Sequence, residues 1–67
     1  MPILQNLRAV RESRALSQID LARLAKTTQP TISELEGGRS AQISTLRKLA
    51  RALRVQPAQL IGPSWDG

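Results

Sequence analysis

A chain of 67 residues makes one domain with a modest core, so it depends on well-made helices or a partner for stability. It contains no cysteine and no histidine, which excludes a disulfide framework, a thiolate or imidazole metal site, a catalytic triad and imidazole acid–base chemistry. Ten Lys plus Arg against five Asp plus Glu give a formal charge of +5, so a polyanion is the natural partner, with ordinary solubility charge as the competing reading. No apolar run reaches transmembrane length and the first eight residues carry no signal-peptide core, so a cytoplasmic protein with no membrane partner is expected.

The hydrophobic spacing is helical nearly throughout. Leu4, Leu7 and Val10 share a face of a first helix over about 3–14, with Arg11 beside them and Pro2 suited to the first turn. Ser13 to Leu16 is a short connection. Ser17 with Asp20 forms a capping-box-like pair that opens a second helix over about 18–25, whose inner face is Leu21, Ala22 and Ala25. Lys26, Thr27 and Thr28 form a very short link. Thr28 caps a third helix over about 29–36; Pro30 is tolerated in its first turn, and Ile32 and Leu35 face inward. Gly37–Gly38 is a strong stop.

After a loop from Arg39 to Gln42, a fourth helix is expected over about 44–54, with Ile43 at its start and Leu46, Leu49, Ala50 and Leu53 on one face. Val55–Gln56 breaks it. Pro57 begins a last helix over about 57–61, with Leu60 and Ile61 inward, and residues 62–67 read as a tail. There is no repeat and no strand-like alternation. The expectation is a compact all-α domain of five short helices spanning residues 1–61.

The informative stretch is Ser17 to Gly38. Ser17-Gln18-x-x-Leu21-Ala22 and Thr28-x-x-Thr31-Ile32-Ser33-x-Leu35-Glu36-x-Gly38 resemble the helix-turn-helix of the Cro/CI-type (XRE-like) repressor family. The resemblance continues through Leu46, Lys48-Leu49-Ala50, Ala52-Leu53 and Val55 to Leu60-Ile61, covering about residues 4–61. Thr27-Thr28-Gln29 with Ile32, Leu35 and Glu36 is most similar to lambdoid phage repressors. The resemblance implies a lambda-repressor-like DNA-binding domain. The spacing agrees: small Ala22 lets two helices cross closely on a three-residue turn, and the outer face of the third is left for the major groove.

That outer face is polar, with Gln29, Pro30, Ser33 and Glu34, and Thr31 near its edge. Gln29 stands at the tip, where family members read base edges, and a glutamine amide bonds adenine N6 and N7 together for about 1–3 kcal/mol of discrimination. Glu34 can accept from a cytosine N4 or exclude wrong bases, and Pro30 can at best touch a thymine methyl. A solvated polar face is the competing reading for these positions.

The resemblance implies a phosphate grip for Gln18, helped by the helix dipole, and a phosphate-contacting loop at Arg39 and Ser40. For Thr28 the resemblance implies a place near the DNA backbone, with helix capping alone as the competing reading. The resemblance further implies a salt bridge between Arg11 and Glu36, steadying the third helix.

Three features fall outside this scheme. Arg47, Arg51 and Arg54 form a stripe at helical spacing with Lys48 beside it, which reads first as a solvated face and second as extra DNA or partner binding. Lys26 occupies a turn position where relatives carry glycine, implying either backbone strain or a different turn. Ile19, Leu24 and Trp65 are apolar side chains with an ordinary surface reading and an interface reading.

Together these point to a sequence-specific transcriptional regulator, most simply a repressor, binding a short operator on double-stranded DNA as a homodimer, formed in solution or only on DNA. The fourth and fifth helices or the tail would supply the contact. The competing function is an antitoxin-like subunit that binds a toxin protein and its own promoter; a purely structural helical module is a third. No nucleophile–base pair, metal cluster or phosphate loop supports an enzyme, and no cofactor is expected.

Overall fold

The computed structural model describes residues 2–62, so Trp65 and most of the expected tail lie outside the described residues. Five helices follow in order: α1 Leu7–Ser13, α2 Gln18–Leu24, α3 Gln29–Glu36, α4 Ile43–Leu53 and α5 Pro57–Ile61. Four of them match the expected positions to within a residue at either end. They enclose one core in which Leu7, Val10, Leu21, Ile32, Leu49 and Leu60 are fully buried. Ala41, in the loop between α3 and α4, joins that core as well. Ile61, expected inward, is only half-buried.

The first helix departs from expectation, starting at Leu7 and not near Ile3. Residues 2–6 instead run extended or turned, with Ile3 and Ser40 paired in an antiparallel bridge and Ala41 N–H donating to Pro2 O at 2.7 Å. Pro2 and Ile3 thus find backbone partners in the α3–α4 loop, while Gln5 N–H and Leu7 N–H close local turns onto Ile3 O and Leu4 O.

Asn6, at the N-cap position of α1, caps nothing there. Its Nδ2 donates to Gln59 O at 2.9 Å and Gly62 O at 2.7 Å, and its backbone N–H to Leu60 O at 3.0 Å. These are carbonyls that the C-terminal turn of α5 cannot satisfy internally. A buried asparagine therefore locks the two ends of the described chain together.

Local chemistry fixes the helix ends. At α2, Asp20 N–H donates to Ser17 Oγ at 3.0 Å and Ser17 N–H to Asp20 Oδ2 at 3.1 Å, completing the expected capping box. These bonds, helped by Arg23, hold the Asp20 carboxyl below its ordinary value.

The C-termini of α1 to α4 share one geometry. In each, the residue after the last turn is left-handed, and the following N–H reaches back five residues: Leu16 to Arg11, Thr27 to Ala22, Arg39 to Glu34, and Val55 to Ala50. Only α3 places glycine at the left-handed position, Gly38 at φ 109°. Ala15, Lys26 and Arg54 adopt φ of 58°, 56° and 59°, which costs a side-chain-bearing residue about 1–2 kcal/mol each. The strain expected at Lys26 is thus present, and it recurs at two further helix ends.

Candidate nucleic-acid interface

Helices α2 and α3 pack more extensively on each other than does any other helix pair. Leu21 and Ala22 of α2, Ala25 just beyond its end, and Ile32 and Leu35 of α3 are all buried between them and the rest of the core. The opposite side of α3 is open: Pro30, Ser33 and Glu34 are exposed, and Gln29 and Thr31 are half-buried. Thr28 caps α3, its Oγ1 accepting from Thr31 N–H at 3.4 Å and lying 2.8 Å from Thr31 Oγ1. Pro30 sits in the first turn, where its missing N–H costs nothing.

A chain of hydrogen bonds links the tip of α3 to the interior. Arg11 and Glu36 form the expected bridge, a two-pronged one: Arg11 Nε donates to Glu36 Oε2 at 2.6 Å, and Nη2 to Oε1 at 3.1 Å. Their side chains are only 10% and 6% exposed, so water does little to screen the pair. Arg11 Nη1 also donates to Leu16 O at 2.7 Å, tying the end of α1 to the same cluster. The hydrogen bond to Glu36 raises the Arg11 pKa above its ordinary value, so the guanidinium stays charged.

Glu36 Oε1 accepts a further bond from Gln18 Nε2 at 3.1 Å, and Gln18 Oε1 accepts from Gln29 Nε2 at 2.7 Å. The chain has a fixed direction. An ionised carboxylate only accepts, so Gln18 must turn its NH2 group toward Glu36 and its carbonyl toward Gln29. Gln29 must then offer an N–H to Gln18, which leaves its other N–H and its carbonyl oxygen unused. These are the donor and acceptor that one adenine edge requires. Gln18, expected at a phosphate, is therefore also the side chain that orients Gln29.

The remaining expected residues form a second group at the far end of α3. Arg39 Nη1 donates to Glu34 Oε1 at 2.5 Å, with both side chains more than half exposed. Arg39 and Ser40 flank a shallow hollow of about 160 Å³ that Thr31, Glu34, Gln42 and Thr45 also line. Gln42 and Thr45 were not singled out from sequence, because only the path of the loop carries the start of α4 to α3. Gln42 could have been suspected as the residue preceding a helix whose first N–H groups lack partners.

No group of His, Cys, Asp and Glu among the described residues is suited to a metal ion, and no described helix is long and apolar enough to cross a membrane.

The comparisons with known proteins agree with this architecture. A helix-turn-helix family model matches residues 7–60. The immunity repressor protein of Bacillus phage phi105 is 32% identical over 63 residues, which is 92% of this chain and 44% of that protein, so the chain spans less than half of its relative. The restriction-modification controller protein C.AhdI from Aeromonas hydrophila matches with a TM-score of 0.80 at 34% identity, over 87% of this chain and 89% of that one. A hypothetical transcription factor, NHTF from Neisseria, matches with a TM-score of 0.82 at 31% identity, over 91% and 70%. With the family model spanning most of its length and the Ser17–Gly38 motif folded as two crossed helices, the chain belongs to the Cro/CI-type helix-turn-helix family.

Proposed function

We propose that the chain is a DNA-binding transcriptional regulator that lays α3 in the major groove, with Gln29 as its principal base-reading side chain. The observation that carries this reading is the polarised chain from Arg11 through Glu36 and Gln18 to Gln29. It holds a flexible amide in one orientation before any base arrives, which removes part of the ordering cost of binding. Ser33 and Thr31 offer hydroxyls to neighbouring bases or phosphates. Pro30 offers only apolar contact, suited to a thymine methyl.

Gln18, Thr28, Arg39 and Ser40 act as the phosphate side of the contact, setting register without reading sequence. Glu34, bridged to Arg39, lowers the positive charge at that end and disfavours bases lacking a donor. One α3 reaches only a few base pairs, so the operator-bound form is a dimer on two half-sites about 34 Å apart. Occupying a promoter in this way represses it, in keeping with the repressor role that the phage relative's name describes.

Selection of preferred duplexes from a random pool tests the assignment. The parent protein should enrich a site with an adenine facing Gln29, and Gln29→Ala should lose that preference by about 1–3 kcal/mol, five- to a hundredfold and more, while keeping non-specific binding. An unchanged selected sequence would remove Gln29 from the reading role.

A further inference from the structure

Every described carboxylate is already engaged. Glu12 pairs with Arg8 at 3.3 Å, Glu36 with Arg11 at 2.6 Å and Glu34 with Arg39 at 2.5 Å, while Asp20 is held in the capping box with Ser17. The α3 end of the molecule therefore carries little net charge, and the positive surplus rests elsewhere. Lys26, Lys48, Arg51 and Arg54 converge on a groove of about 540 Å³ between the end of α2 and the last turns of α4, and no carboxylate lines it. All four are exposed, and none is paired with a described carboxylate. Leu24 also lines the groove with 57% of its surface exposed, and Ala25 and Ala52 complete its apolar part. None of the residues assigned to DNA contributes to it.

We propose that this groove docks an acidic, leucine-bearing segment of a partner protein. Charge selects the class: four like charges sharing one concavity repel one another and are relieved by carboxylates placed among them. The apolar rim decides between polyanions. A phosphate backbone would neutralise the cations and leave Leu24 facing water, whereas an acidic peptide with an apolar side chain answers both features. A second copy of this chain is a poor occupant, because three of its described carboxylates are matched by arginines and the fourth, Asp20, is held in the α2 capping box. The groove shares no lining residue with the α3 site, so a partner bound there leaves the DNA-reading side chains uncovered.

The test is a ¹⁵N amide-shift titration of the full chain with three probes: a synthetic peptide of Glu-Glu-Leu repeats, its Glu-Glu-Ser counterpart, and a random-sequence DNA duplex. The expected result is saturable shifts at Leu24–Lys26 and Lys48–Arg54 with the leucine peptide. The serine peptide should bind several-fold more weakly, and the duplex should shift α3 and not the groove. Lys48→Glu combined with Arg51→Glu should weaken the leucine peptide at least about tenfold. Leu24→Ser should remove the advantage of the leucine peptide over the serine one.

Spectra unchanged outside the groove confirm that these surface variants fold. Lys48→Ala with Arg51→Ala serves in place of the charge reversal where they do not. Groove shifts caused by the duplex would overturn the proposal in favour of a nucleic-acid surface. Equal binding of the two peptides, peptide shifts centred on α3, or no peptide binding at low salt would each overturn it as well. The peptide arms do not depend on DNA recognition, so failure here and failure of the operator reading are separately visible.

Discussion

Two arginine–glutamate pairs brace α3, and they differ in everything but their chemistry. Arg11–Glu36 joins residues 25 apart in sequence, is almost fully buried and is two-pronged. Arg39–Glu34 joins residues five apart, is more than half exposed and makes one side-chain bond. The first is expensive to break and is linked through Gln18 to Gln29 at the N-terminal tip of the helix. The second is screened by water and adjusts charge at the other end. Burial, more than bond length, therefore assigns one pair to the architecture and leaves the other on the exposed surface.

The largest expected effect comes from breaking the buried pair. Glu36→Ala leaves Arg11 with only Leu16 O and should cost about 3–5 kcal/mol in urea unfolding. For a domain this small that is a large share of a total stability of roughly 3–10 kcal/mol. Replacing both partners, Arg11→Met with Glu36→Leu, sharpens the comparison. It should restore stability to within about 1–2 kcal/mol while still weakening operator discrimination, because Gln18 loses the acceptor that orients it. If the double variant keeps full discrimination, the pair is structural only and the chain to Gln29 carries no function.

A smaller effect tests whether the turn shares in placing α3. Lys26 holds φ 56° between α2 and α3, a geometry in which its Cβ is crowded. Lys26→Gly should relieve that strain and raise stability by about 0.5–1 kcal/mol net of the extra freedom of the unfolded chain. If the buried pair sets the position of α3, base preference will not change. A changed preference would mean that the strained turn also aims the helix.

These contrasts also mark what could be read from sequence. Leu21, Ala22, Ala25, Ile32 and Leu35 repeat at helical spacing, and Ser17 and Thr28 announce their helices by local chemistry, so α2 and α3 were legible from short-range pattern. The start of α1 was not. Leu4 falls in helical register with Leu7 and Val10, yet it is buried from an extended segment whose backbone bonds run to Ser40 and Ala41.

The role of Asn6 is not legible for the same reason: its amide partners lie 53 and 56 residues away. At the site, family resemblance supplied Arg11 with Glu36. Nothing local indicated that Gln18 would face both Glu36 and Gln29, or that the loop would bring Arg39 onto Glu34. Pattern reports which face of a helix turns inward; the partners of a polar side chain depend on where distant segments cross.

The smallest stability effect belongs to the exposed pair, and there the informative measurement is salt dependence. Arg39→Ala should change unfolding free energy by no more than about 0.5 kcal/mol, and a double-mutant cycle with Glu34→Ala should give a coupling below about 1 kcal/mol. DNA binding should respond differently. With its arginine gone, Glu34 meets the phosphates without compensation, so affinity falls for all duplexes alike. The slope of log affinity against log salt should become shallower by about one unit, the contribution of one phosphate contact. If the slope is unchanged, Arg39 serves only to neutralise Glu34 and another group grips the phosphate. If the coupling instead matches that of the buried pair, exposure does not separate the two bridges and the contrast drawn between them fails.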